Sequence, residues 1–417
     1  MTSQEFKNVA ANINNPKWKQ LITRPTELYS RADDVRSPFS RDYTRILHSM
    51  AYRRLKHKTQ VFFNIDNDHI CTRMEHVSHV DSVSSTIAKA LGLNDELTKA
   101  ISIGHDLGHA PFGHHGEQVI SKLTEKYLDK KFWHEQNGLR FVDKLELLED
   151  NYRIQRNLNL TYAVRDGIIS HCGELDENGL HPREELIDLC NFTAPGQFQP
   201  ATWEGCVVKI SDKIAYIGRD IEDAINLGFL DTKAQTELLK MARANDERVM
   251  NTTVIMYNMI VDICRNSSVD NGISLSREFL EQITDIKKFN YTHIYGNKRF
   301  NPFMHYSELV INEIFSVLFE CYDDRRTFAV LEDQLRYSPM LLHYFLQWLI
   351  KYCETDIIPK SLINNNSAYQ NEKVYGKLDS KEIYIQAIID FISGMTDHFA
   401  ISVFNELITY QSPINQM

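Results

Sequence analysis

His105-Asp106-Leu107-Gly108-His109-Ala110-Pro111-Phe112-Gly113-His114-His115-Gly116-Glu117 decides how this chain reads. These thirteen residues hold four histidines, one aspartate, one glutamate and three glycines. Imidazole and carboxylate are donors that divalent metals prefer, and both carry protons in hydrolysis. A His-rich surface loop would share that composition. Here, however, His105-Asp106 ends an apolar helical run instead of lying in polar low complexity. The stretch reads as an active site delivered by helices.

Working outward, Asn94 is an N-cap for the helix that ends there, with Leu97, Ala100, Ile101 and Ile103 as its core positions. The preceding helix runs from about Thr72 to Leu91, with Val77, Val80, Val83, Ile87 and Leu91 apolar and Gly92 as its C-cap. Arg73, His76 and Val80 share one face of it. Downstream, a shorter helix begins near His114 and runs through Val119, Ile120 and Leu123. A second informative helix covers 207–223, where Asp212, Tyr216, Arg219 and Asp220 line one face beside an apolar stripe of Ile210, Ile214, Ile217 and Ile221.

The remainder fits around these helices. Residues 1–40 are polar, with prolines at 16, 25 and 38, and read as an arm with short helical pieces that packs on a neighbouring subunit. Residues 45–55 read as a helix with Ile46, Met50 and Leu55 on one face, followed by an extended 58–62 and a turn at 64–68. Amphipathic helices and a loop near 176–200 fill 125–200. From 229 onward helix follows helix, with breaks at 266–272, 296–302 and 364–376. There is no Walker loop, dinucleotide fingerprint, βαβ alternation or short repeat. The expected fold is all-α, in three parts: an arm over 1–40, a core over 41–235 and a C-terminal helical region over 236–417.

At 417 residues and 43% hydrophobic content the chain can bury a large core. No apolar run spans a bilayer, and the first residues do not form a signal peptide. Seven cysteines without a Cys-x-x-Cys predict buried thiols in a reducing compartment, hence a cytoplasmic protein. A net charge of -10 argues against a nonspecific nucleic-acid coat, while leaving room for an anionic ligand beside a bound cation.

The candidate ligands are His76, the His105-Asp106 pair and Asp212. Two imidazoles and two carboxylates suit Mn, Fe, Co, Ni or Zn, and Mg less comfortably, and leave positions for water and a phosphoryl oxygen. His114 and Glu117, three apart, can share a helical face, with the carboxylate holding the imidazole for acid, base or nucleophilic work. Arg73, Lys213 and Tyr216 offer positive charge and a hydroxyl to phosphates, and His109 is a further phosphate donor. Each of these also has an ordinary reading as a solvated side chain.

The ordered set of His76, His105-Asp106 and Asp212 resembles the metal site of the HD-domain phosphohydrolases, and more finely the deoxyguanosine triphosphate triphosphohydrolase-like branch. Three stretches carry the resemblance: 36–62, with Lys58-Thr59-Gln60-Val61-Phe62; 104–117; and Gly394-Met395-Thr396-Asp397 within 390–400. It implies that 41–235 is the metal-dependent core and that 236–417 completes the nucleotide pocket and an oligomer interface. It implies cleavage of a deoxynucleoside triphosphate to deoxynucleoside and inorganic triphosphate. His114, oriented by Glu117, would be catalytic; His109 and His134 would line the phosphate side. Gln60 and Asp220 would read the deoxyribose 3′-hydroxyl, and Tyr216 would crowd out a 2′-hydroxyl. Family members form homo-oligomers from dimers to hexamers, and in some a second nucleotide activates. The chain departs from the family at Lys130-Lys131-Phe132-Trp133-His134, where Gly-Gly-Phe-Glu-His is usual, and at His398, where arginine is usual. Tyr291 to Arg299 resembles an interface or regulatory segment. Two other readings keep the same residues: a phosphodiesterase acting on another nucleotide, and a nucleotide sensor or single-strand nucleic-acid binder.

Overall fold

Thr72 and Glu75 start the helix that carries the first candidate ligand. Their side chains form a capping box with each other's backbone, and Gly92 closes the far end at φ 82°. The computed structural model describes residues 2–27, 33–62, 69–150, 152–172, 178–242, 252–362 and 369–409. The turn expected at 64–68 and part of the break expected at 364–376 lie outside them. In chain order the principal helices are α1 (Thr2–Val9), α2 (Pro38–His48), α3 (Arg73–Leu91), α4 (Asp95–Gly104), α5 (Gly113–Leu128), α6 (His134–Arg140), α7 (Tyr162–Ser170) and α8 (Trp203–Asn226). There follow α9 (Thr252–Asn266), α10 (Arg277–Asn290), α11 (Asn301–Glu320), α12 (Pro339–Tyr352), α13 (Lys381–Ser393) and α14 (Asp397–Ile408). Among the described residues the chain is all-α apart from one hairpin, in which β1 (Leu147–Glu149) pairs antiparallel with β2 (Gln155–Asn157), Leu147 opposite Asn157. Three-residue strands are too short for an alternation to show in sequence. No single helix among the described residues is long and apolar enough to cross a membrane.

The chain divides into two units, each assembled from separated stretches. The first comprises 1–48, 60–107 and 159–301. Its core is built on α3 and α8, with Val83, Ile87, Ile210, Ile214, Ile217 and Ile221 buried together. The stripe read from the sequence therefore faces inward, as helical periodicity requires. The arm joins this core within its own chain: Phe6 packs edge-on against Trp203, ring centroids 5.2 Å apart. The buried Glu204 carboxylate accepts from the backbone N–H groups of Ala11 and Asn94, each at 2.9 Å.

The second unit comprises 49–59, 108–158 and 302–417. Here α13 packs on α5 and α12, and Phe141, Leu318, Phe345, Leu349, Tyr384 and Ile388 are buried. One expected face fails. Ile46 and Leu55 are buried, but Met50 is 54% exposed. Ser49 accepts from the Tyr52 N–H and caps a new short helix, Met50–Arg54, so the helical phase restarts between the two buried residues.

Candidate active site

In the first unit, three helices bring the expected metal donors together. α3 presents Arg73 and His76 from adjacent turns, α4 delivers His105-Asp106 at its C-terminus, and α8 presents Asp212. The His76 Nε2 lies 2.9 Å from Asp212 Oδ1 and 4.0 Å from Asp106 Oδ2. The His105 Nε2 lies 3.7 Å from Asp106 Oδ1 and 3.8 Å from Asp212 Oδ1. Burial works against a charge on His76, but the hydrogen bond and charge of Asp212, with Asp106 behind it, raise its basicity above ordinary imidazole. Asp212, despite its own burial, is held well below the usual carboxylate range by His76 and then His105.

His105 shows that this cluster suits a cation. Its Nδ1 lies 2.6 Å from the Ser102 carbonyl oxygen, which can only accept, so Nδ1 carries the proton and Nε2 keeps its lone pair. That Nε2 is buried and has no hydrogen-bond partner. Two carboxylate oxygens stand beyond hydrogen-bond range of it, at the spacing of ligands about 2.0–2.2 Å from one shared ion. A buried Nε2 without a hydrogen-bond partner beside two carboxylates calls for positive charge, which a divalent cation shared by all three would supply.

Arg73 adds a second unsatisfied group. Its Nη1 donates to Asp106 Oδ2 at 2.8 Å, while its Nε and Nη2 are buried without acceptors. On α8, Asp220 accepts from the Tyr295 hydroxyl and keeps Oδ1 buried without a partner. Gln60, of the same unit, likewise keeps a buried, unpartnered Oε1. Lys213 and Tyr216 are half-buried on α8. His79, left out as a ligand from its phase, accepts from Arg219 Nε at 2.8 Å. His171, which no local motif announced, reaches His105 and Asp106: a donor atom from each of the three lies within 4.8 Å of the others.

The second unit gathers the other histidines. Phe112 and Gly113 both adopt left-handed backbone, φ 64° and 60°, and start α5 so that His114 and Glu117 project from its first turns. Phe112 is buried in this strained conformation, and its N–H donates to Asp397 Oδ1 at 2.9 Å. Asp397 Oδ2 accepts from the Thr59 N–H at 3.0 Å and from the Thr59 hydroxyl. The Lys58 Nζ bonds the carbonyl oxygens of His109 and Ser393. Two of the stretches singled out in the sequence thus clamp the histidine loop.

Within that loop the His109 and His134 rings stack, centroids 3.8 Å apart at 20°. Glu117 sits between His114 and His134, at 3.3 Å from Nδ1 of each, and also accepts from the His134 backbone N–H at 2.8 Å. Burial would raise Glu117, yet His134, His114 and His109 pull it well below the ordinary value, so it is a carboxylate at neutral pH. His114 is 69% exposed, open to a substrate. Glu135, which the sequence reading passed over, lies 3.4 Å from His134 Nδ1.

The fold and the first cluster define a class, the HD-domain phosphohydrolases, and the HD domain family model matches residues 73–217. The chain is 32% identical over 375 residues to a deoxyguanosinetriphosphate triphosphohydrolase-like protein of Caldanaerobacter subterraneus subsp. tengcongensis, covering 90% of this chain and 86% of that one. It is 35% identical over 311 residues to a protein of that name from Desulfatibacillum aliphaticivorans, covering 73% and 80%. For a third, from Clostridium tetani, the figure is 28% over 377 residues, covering 90% and 86%. The chain belongs to the deoxyguanosinetriphosphate triphosphohydrolase-like family.

Proposed function

We propose that the protein hydrolyses deoxynucleoside triphosphates, dGTP or several of them, to the deoxynucleoside and inorganic triphosphate. The observation that carries this reading is Arg73, a buried guanidinium beside a metal donor set with two N–H groups lacking acceptors. Buried donors of that kind call for an anionic oxygen, and phosphate matches the guanidinium fork. The names borne by the relatives support the same substrate class.

A divalent cation held by His76, His105, Asp106 and Asp212 would supply polarisation of a phosphoryl oxygen and neutralise developing charge. Arg73 holds a phosphate oxygen through Nε and Nη2, with Lys213 and Tyr216 as further contacts. Gln60 and Asp220, each with a buried side-chain oxygen without a partner, read the sugar 3′-hydroxyl, whose single proton goes to one of those oxygens. Water adds its oxygen to the α-phosphorus and gives up one proton to solvent, the P–O5′ bond breaks, and the departing 5′-oxygen takes up a proton. His114 transfers that proton, its cationic form stabilised by Glu117, while His109 and His134 line the phosphates.

Product analysis with each of the four dNTPs, singly and mixed, with Mn or Mg, tests the reading. Deoxynucleoside and triphosphate should form, and both should vanish in His114→Ala and Asp106→Ala. Release of pyrophosphate or orthophosphate, or no turnover in any mixture, would overturn it.

A further inference from the structure

We infer that His171 is a third imidazole donor to the metal centre, a role that rests on reading that centre as a divalent-cation site. The argument begins with two helices ending in the same way. α4 ends at Gly104 and is followed by His105; α7 ends at Ser170 and is followed by His171. Both histidines keep helical backbone angles at the C-cap. In each, Nδ1 bonds the carbonyl oxygen three residues back, Ser102 at 2.6 Å and Ile168 at 2.7 Å. A carbonyl accepts only, so both rings carry the proton on Nδ1 and leave the Nε2 lone pair as the donor.

The packing of α7 on α4 brings these two ends together. A Cβ at Gly167 would meet the Ile101 side chain at 2.5 Å, and one at Gly104 would meet Ile168 Cδ1 at 3.0 Å. The two glycines let the Ile101 and Ile168 side chains lie directly against the opposing helix, and the rings of His105 and His171 come to 4.9 Å between centroids. His171 is 2% exposed. It stands at the ends of two helices whose terminal carbonyls favour positive charge. A cation is what such a place accommodates. Three imidazoles and two carboxylates leave one position on a six-coordinate ion. The added nitrogen donor also moves the site's preference from Mg toward the transition metals.

The test uses the full chain freed of metal and titrated with Mn(II). Binding is followed by calorimetry and by the EPR signal of free Mn(II), and fold is checked by circular dichroism of the metal-free forms. The wild type should bind with three nitrogen couplings in pulsed EPR. His171→Ala and His171→Gln, each still folded, should show two couplings, a dissociation constant raised about ten- to a hundredfold, and a narrowed Mn-over-Mg preference. Equal affinity and equal nitrogen count in wild type and folded variants would overturn the role of His171 while leaving the metal centre standing. Failure of the wild type to bind Mn(II) at all would overturn both this inference and the reading on which it rests.

Discussion

Gly108 lies where the histidine loop touches the start of α6. A Cβ there would sit 2.0 Å from the His134 carbonyl oxygen and 2.1 Å from the Gly138 nitrogen, well over 1 Å inside ordinary contact of about 3.5 Å. Both obstacles are backbone, so no side chain can rotate away. Gly108→Ala must therefore part the loop from α6, and with them the stacked rings of His109 and His134. It also strains the bond from Asn137 Nδ2 to the Gly108 oxygen, now 2.7 Å. Overpacking costs about 1–3 kcal/mol and a lost hydrogen bond about 1 kcal/mol, so urea unfolding should lose roughly 2–4 kcal/mol. A displacement of about 1 Å at reacting groups lowers turnover about a hundredfold. Gly376→Ala is the control: Gly376 has φ +48° with nothing within 4 Å, so it should carry backbone strain of about 1–2 kcal/mol and keep its rate. A Gly108→Ala enzyme within twofold of the wild-type rate, or destabilised no more than Gly376→Ala, would refute the argument.

Three further outcomes follow from the same geometry. Asp397→Ala strands the buried Phe112 N–H and frees a strained turn, so chemical denaturation should show a loss of about 2–4 kcal/mol, and Asp397→Asn, keeping one acceptor, should lose less. Glu117 titrates below its unfolded value, so its contribution to stability is present above about pH 4.5 and is lost as pH falls through its folded value. Glu117→Gln should therefore be less stable than wild type at pH 7, the gap closing in acid, with turnover down about a hundredfold. Asp220 is raised to about 7, chiefly by burial, against the pull of the Tyr295 hydroxyl and of His76. The folded chain then holds a proton that the unfolded chain releases, and stability falls between about pH 4 and pH 7. Asp220→Asn should flatten much of that fall in thermal scans, with Asp223, raised to about 6 mainly by burial, accounting for the slope that persists.

Local rules reached a long way here. Gly92 and Asn94 mark helix ends through chemistry confined to a few residues, and the structure shows both performing it. His76, His105, Asp106 and Asp212 were singled out from the sequence by their donor chemistry and by the family resemblance, since spacing within one helix cannot connect donors on separate helices. Met50 was misplaced because a serine cap outranked the apolar period. His171 and Glu135 were missed because nothing near them in sequence marks them: one is placed by the approach of α7 to α4, the other by the turn into α6. The partnership of Asp220 with Tyr295 and the hold of Asp397 on Phe112 join residues too distant in sequence for any periodicity to connect.

That last distance sets a schedule. Phe112 and the carboxylate that secures it are 285 residues apart. At a synthesis rate of about 5–20 residues per second, roughly a quarter of a minute to a minute passes before Asp397 exists to grip the loop. The second unit is threaded from three stretches, the last beginning only at residue 302, so a nascent chain carries its histidines long before it can aim them. A message cut short between residues 220 and 397 yields a chain with every proposed site side chain but without the carboxylate that holds the histidine loop. On the proposed reading, hydrolytic competence waits for Asp397.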